Sequence, residues 1–194
     1  MSKLYFKYGV MGSSKTAEAL MCRFNYIQKG FNVLLLKPNI DNRFEQEDDK
    51  PKIISRIGIS AECTKFSKDE DLSILFIKEN LKQKIDIIIV DECQFATTEQ
   101  IEQLKQISYR TTVLCYGLLT NFKTQLFEGS KRLIELADSL QEIKSVCKCG
   151  RKASVNARFV NGKLTTCGEE ILIGAEESYE SMCYWCYKQR LKNK

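Results

Sequence analysis

Histidine is absent from this chain of 194 residues, and that absence narrows the available chemistry. A proton acceptor has to be a carboxylate, and a zinc site has to rest on sulfur or on sulfur and oxygen. The chain also lacks a run of about eighteen apolar residues, the length that spans a bilayer. Its start, Met1-Ser2-Lys3-Leu4, lacks the apolar stretch of a secretory leader. These absences predict a cytoplasmic protein without a membrane partner. There are no internal repeats and no low-complexity tract. The basic excess is small, a net charge of +5, which suits an anionic small ligand and is weak support for nucleic acid. Cysteine, by contrast, is abundant: nine residues in a cytoplasmic setting argue for metal binding or buried thiols rather than disulfides.

Up to residue 146, short apolar runs alternate with amphipathic stretches. Leu4–Tyr8 and residues 32–36 read as buried strands. Residues 71–84 read as a helix with Leu72, Leu75, Phe76 and Leu81 at helical spacing. Residues 85–90 form a third strand. Thr97-Thr98-Glu99-Gln100 is a helix start ahead of Ile101, Leu104 and Ile107, and residues 111–116 form a fourth strand. The alternation predicts an α/β fold: a parallel sheet covered by helices, with ligands gathering at the carboxyl ends of the strands. Residues 41–52 are polar and acidic, an exposed loop. From Cys147 onward, cysteines, glycines and short strands replace the pattern. The expected division is an α/β domain over 1–146 and a smaller domain over 147–194.

The first strand runs into Gly9-Val10-Met11-Gly12-Ser13-Ser14-Lys15-Thr16 and then into a helical stretch. This is close to G-x-x-x-x-G-K-[ST], with Ser14 in place of the second glycine. Such a loop curls its backbone N–H groups around the phosphates of ATP while its lysine neutralises charge. If position 14 requires a positive φ, serine is strained there. The third strand ends in Asp91-Glu92. Two adjacent acids there can be a solvated strand end. Facing a phosphate loop, they become a magnesium ligand, Asp91 acting with Thr16 on Mg2+, and a general base, Glu92. An exchange of roles between the two acids is the open alternative.

Cys147-Lys148-Cys149-Gly150 and Cys183-Tyr184-Trp185-Cys186 are two cysteine pairs that read as one structural Zn2+ site of four thiolates. Cys167 is a possible substitute ligand. Cys22, Cys63, Cys93 and Cys115 fit buried free thiols. Phe95, Phe122, Phe127 and Tyr179 lie close to glycines and loop ends, where they are either core or a slot for a planar base.

Asp91-Glu92-Cys93-Gln94-Phe95 resembles the DE-x-QF signature of type II thymidine kinases. Tyr8 to Thr16 is similar to their phosphate loop, and Gly117-Leu118-Leu119-Thr120-Asn121-Phe122 to their GL-x-T-x-F segment. Ile173-Gly174-Ala175, then Tyr179 and Cys183, resemble the lasso that leads back to their zinc site. The resemblance spans nearly the whole chain in the same order. It implies a RecA-like P-loop core, a zinc domain with a lasso, a homotetramer, and transfer of the γ-phosphate of ATP to the 5′-hydroxyl of thymidine. By the same resemblance Glu92 accepts the proton and Gln94 joins the ATP-binding set. Met11, Phe95, Leu118, Phe122, Phe127 and Tyr179 line the base pocket, and the backbone of Ile171, Leu172, Ile173 and Gly174 reads the thymine edge. Arg43 matches a family position near the phosphates. The competing readings are a P-loop ATPase whose zinc ribbon docks on nucleic acid, and a zinc-stabilised binding module without catalysis. Lys148, Arg151 and Lys152 favour the first of these, opposed by Glu169, Glu170, Glu176, Glu177 and Glu180. Lys15, Thr16, Asp91 and Glu92 speak against the second.

Overall fold

The computed structural model describes residues 3–39, 50–168 and 177–192. In chain order the elements are β1 (Leu4–Tyr8), α1 (Lys15–Gln28), β2 (Val33–Pro38), β3 (Lys52–Ile54), β4 (Ser60–Glu62), β5 (Thr64–Phe66), α2 (Leu72–Lys82) and β6 (Ile87–Val90). There follow a 3-10 turn at Cys93–Phe95, α3 (Thr98–Ile107), β7 (Thr112–Gly117), α4 (Glu128–Leu136), β8 (Ser139–Glu142), β9 (Val155–Val160), β10 (Lys163–Thr165), β11 (Glu177–Met182) and α5 (Tyr184–Lys192).

Six strands form a sheet in the order β5-β2-β6-β7-β1-β8, and every pairing in it is parallel. Ile87, Ile88, Ile89 and Val90 are all buried, because β6 is covered on both faces. Each such side chain contributes about 1.5–3 kcal/mol on leaving water. On one face Leu4, Phe6, Leu36, Ile88 and Val90 meet Leu72, Leu75, Ile101, Leu104 and Leu133 from α2, α3 and α4. On the other, Leu35, Ile87, Ile89 and Leu114 meet Ala19 and Leu20 of α1. Tyr8 lies opposite Gly117, and Val90 opposite Cys115. The loop after β1, the acids after β6 and the end of β7 therefore emerge together at the carboxyl end of the central strands.

Local chemistry sets the helix starts. Asp71 caps α2, accepting from the N–H groups of Ser73 and Ile74 at 2.8 and 3.1 Å. Thr97 and Gln100 form a capping box at α3. One expectation fails on α2. Leu72 and Leu75 are buried, but Leu81 is 81% exposed. It follows Phe76 by five residues, a rotation of about 140° away from the core face, and joins the exposed Ile74 and Ile77.

Beyond β8 an antiparallel sheet, β10-β9-β11, packs with α5. Its core holds Val155, Ala157, Phe159, Leu164, Met182 and Tyr187, and one residue from far away in sequence, Val10 of the loop after β1.

Candidate active site

The loop between β1 and α1 is shaped by two left-handed residues, Gly12 at φ 75° and Ser14 at φ 61°. Ser14 is the residue before α1, and its carbonyl accepts the N–H of Glu18 at 2.9 Å. The position does require a positive φ, and serine fills it with a Cβ in a crowded conformation. Lys15 turns back over the loop and donates from Nζ to the Val10 carbonyl at 2.8 Å and to Ser13 Oγ at 3.5 Å. Burial pulls Lys15 below the ordinary lysine range, Glu92 and Asp91 oppose that shift, and Arg56 adds to it.

Asp91 lies directly below this loop. Its carboxyl is buried and accepts the Thr16 hydroxyl. Loss of water, then the charge of Glu92, pushes it up to about 7. A divalent cation would reverse that shift, and an oxygen-only pair of hydroxyl and carboxylate suits magnesium. Glu92 adopts φ 52°, a left-handed conformation uncommon for glutamate, which turns the chain from β6 into the 3-10 turn. Gln94 Nε2 donates to Glu92 Oε2 at 2.5 Å, and Gln94 Oε1 accepts the Leu118 N–H at 2.9 Å. Gly117 permits this: a Cβ there would stand 2.6 Å from Gln94 Oε1 and 2.7 Å from Cys93 Sγ.

The aromatic residues group as two sets. Phe95 and Phe127 meet edge to face with centroids 5.6 Å apart. Phe122 is buried beneath the Arg158 guanidinium, 4.7 Å above its ring. Tyr179 pairs across the sheet with Arg158. Asn156, two residues before Arg158 on β9, is buried and spans two loops. Its Oδ1 accepts the Met11 N–H at 2.7 Å, and its Nδ2 donates to the Thr120 carbonyl at 2.9 Å.

The four sulfur atoms of Cys147, Cys149, Cys183 and Cys186 lie within 4.8 Å of one another. Cys149 and Cys183 are 3.6 Å apart, and the Cys186 N–H points at Cys183 Sγ from 3.4 Å. That backbone donation lowers the Cys183 thiol to about 6. Four thiols at this spacing, with backbone N–H groups supporting the thiolate, fit a tetrahedral zinc site with bonds of about 2.3 Å. Cys167 is exposed and stands outside the cluster. Cys93 and Cys115 are buried as expected, whereas Cys22 and Cys63 are only half-buried.

The family model for thymidine kinase matches residues 2–187. A thymidine kinase of Pasteurella multocida is 40% identical, over 98% of this chain and 99% of its own length. One from Shewanella oneidensis is 40% identical over 94% and 95%, and one from Legionella pneumophila 41% identical over 97% and 90%. This chain belongs to the thymidine kinase family.

Within this family member, the structure brings together most of the residues picked out by motif. Gly9, Val10, Met11, Gly12, Ser13, Ser14, Lys15 and Thr16 form one loop over Asp91, and Glu92, Gln94 and Leu118 form a hydrogen-bonded chain beside it. Gln94, grouped by resemblance with the ATP-binding residues, spends both ends of its amide on Glu92 and Leu118. Ile171, Leu172, Ile173, Gly174 and Arg43 lie outside the described residues. Motif reading missed Asn156 and Arg158. Their signal was a strand, Val-Asn-Ala-Arg-Phe, that alternates small apolar residues with polar types rarely buried in strands.

Proposed function

We propose that the enzyme transfers the γ-phosphate of ATP to the 5′-hydroxyl of thymidine, yielding dTMP and ADP in pyrimidine salvage. The observation that carries this reading is Asp91 bonded to Thr16 below the phosphate loop, with Glu92 next to it. Thr16 and Asp91 would hold magnesium, which when bound supplies positive charge to the β- and γ-phosphates. Backbone N–H groups of residues 9–16 and the Lys15 ammonium hold the triphosphate. Glu92 accepts the 5′-hydroxyl proton as the O5′–P bond forms and the bond from the γ-phosphorus to ADP breaks. Gln94 holds the Glu92 carboxylate in line. Met11, Phe95, Leu118, Phe122, Phe127 and Tyr179 enclose the nucleoside, and main-chain groups of Ile171, Leu172, Ile173 and Gly174 read its thymine edge. Deoxyuridine, smaller by one methyl, is accepted with a loss of roughly tenfold.

A nucleoside panel assayed by coupled ADP release tests the reading. Thymidine should lead, deoxyuridine follow and purine nucleosides fail; a faster reaction with deoxyadenosine or deoxyguanosine would overturn it.

Structural zinc in the four-cysteine site, a lobe over residues 147–194 distinct from 1–146, and a cytoplasmic location complete the proposal. The free thiols support the location. Among the described residues no helix is long and apolar enough to cross a membrane. A homotetramer is supported by exposed Met21, Phe24 and Ile27 along α1, continued by Phe31, and native mass measurement tests it. The nucleic-acid reading is disfavoured because basic groups near the cysteines are engaged within the protein. Lys148 pairs with Glu180 at 3.0 Å, Lys152 with Glu142 at 2.8 Å, and Arg151 stacks on Trp185.

A further inference from the structure

The hairpin of β3 and β4 brings a cation to the phosphate loop that none of the sequence motifs contains. The hairpin pairs Lys52 with Glu62, Ile53 with Ala61 and Ile54 with Ser60. Ile53 is buried against the α1 face of the main sheet, and Lys37 of β2 donates to the Lys52 carbonyl at 3.2 Å. The hairpin is thus fixed to the sheet, and its tip is closed as well. The Ser55 N–H and Oγ both donate to the Ile59 carbonyl, at 2.9 and 3.1 Å, and the Gly58 N–H donates to the Ser55 carbonyl at 3.0 Å. Arg56 is the first residue after this buried serine. Its Nη1 lies 3.6 Å from the position a Cβ on Gly12 would take. Among the described residues Arg56 forms no ion pair. A guanidinium therefore rests against a left-handed glycine of the phosphate loop. A guanidinium held at that place presents N–H donors and a positive charge to an anion seated in the loop.

We propose that Arg56 is a ligand of the donor's terminal phosphoryl group, reaching over Gly12 of the phosphate loop. The inference rests on ATP being the donor. A guanidinium fork offers two parallel N–H groups to phosphate oxygens. In the loose transition state the negative charge spreads over three equatorial oxygens, so a cation at that position accelerates transfer more than it strengthens ground-state binding.

The test compares Arg56→Ala and Arg56→Lys with the native enzyme. ATP and ADP affinities are measured calorimetrically, and kcat for thymidine at saturating ATP. Arg56 is exposed at a turn tip, so melting temperatures should be unchanged; if Arg56→Ala does not fold, Arg56→Lys and Arg56→Gln carry the same comparison. Arg56→Ala should lower kcat by about a hundredfold and ATP affinity by about tenfold, with ADP affinity changed by less than about threefold. Arg56→Lys should fall between, and added guanidinium should restore part of kcat in Arg56→Ala. Equal weakening of ATP and ADP, or an unchanged kcat, overturns the proposal. A native enzyme that phosphorylates thymidine from another triphosphate overturns the donor reading alone. The triphosphate-to-diphosphate ratio for that donor then decides Arg56.

Discussion

Glu92 and Gln94 are joined by a 2.5 Å hydrogen bond, and the other end of the Gln94 amide holds the Leu118 N–H. The proposed base is therefore aimed by a residue that also fixes the segment expected to cover the nucleoside. Glu92→Gln keeps the size of the side chain and removes its proton acceptance, so kcat should fall by about a hundredfold or more with thymidine affinity retained. Gln94→Ala should lower kcat less, and the double variant should be no worse than Glu92→Gln, because the two residues act as one unit. Stopped-flow ADP release reads all three. Near-native turnover in Glu92→Gln would falsify the assignment of the base.

Ser14 at φ 61° adopts a conformation that glycine takes without cost. Ser14→Gly should relieve a strain of about 1–2 kcal/mol, offset in part by the greater freedom of glycine in the unfolded chain. A net gain of about 0.5–1 kcal/mol corresponds to a rise in Tm of about 1–4 °C. Differential scanning calorimetry of the two proteins decides this; a lower Tm for the glycine variant would show that the Ser14 hydroxyl supports the loop.

Asp91 titrates near 7 in the folded chain, against an ordinary value of 3.8. Between these values the folded state keeps a proton that the unfolded chain has released. Stability contributed by the protonated carboxyl is present in full below the lower value, is lost as pH rises toward 7, and is level above it. Asp91→Asn never ionises and should lack this slope. Urea titrations without magnesium, at intervals from pH 5 to 8, should therefore show the variant gaining on the native protein up to about pH 7 and holding constant beyond. A stability difference independent of pH would mean that Asp91 is charged throughout.

Chelation should release one zinc per chain, held by Cys147, Cys149, Cys183 and Cys186. Hydrogen exchange should rise over residues 147–192 before the strands of the main sheet open. Because Val10 sits in the hydrophobic cluster of that region, ATP affinity should fall along with it. Metal analysis of protein purified without chelators provides the first check, and a zinc-free, fully active preparation would exclude the site.

Asn156 supplies one hydrogen bond to the phosphate loop and one to the Thr120 carbonyl. Asn156→Ala leaves two half-buried backbone groups without that partner, at about 1 kcal/mol each. Asn156→Asp keeps the acceptor for Met11 and loses the donor to Thr120. If Met11 is the contact that matters for nucleotide, the aspartate variant should retain ATP affinity and raise the thymidine KM, whereas alanine should impair both. Identical kinetics in the two variants would reduce Asn156 to a packing role.

The strands that support the site were legible because they are buried on both faces. Ile87–Val90 and Thr112–Gly117 had to be nearly continuous apolar runs, and the turns after them carried the motifs. The edge strand Ser139–Glu142 was not legible. It joins the sheet through its backbone along one side only, so Ser, Leu, Gln and Glu serve as well as any residues. Helix α4 was missed for a related reason: Leu133 is its only fully buried apolar side chain, too little to set a period. Asp91, Glu92 and the phosphate loop announced themselves because each lies in a short contiguous pattern. Arg56 and Asn156 did not, since their meaning depends on loops more than thirty positions away in sequence that only the folded sheet brings near.

Val10 belongs by sequence to the phosphate loop and by packing to the cluster of Cys147, Val155 and Cys183. The two sites consequently cannot drift apart under mutation. A change of volume in β9 reaches the loop after β1 through one valine, and a change in the loop must be accepted by the walls around the cysteines. Swapping residues 147–192 for those of a relative should yield an active hybrid only when the valine and its new surroundings are exchanged as a matched set.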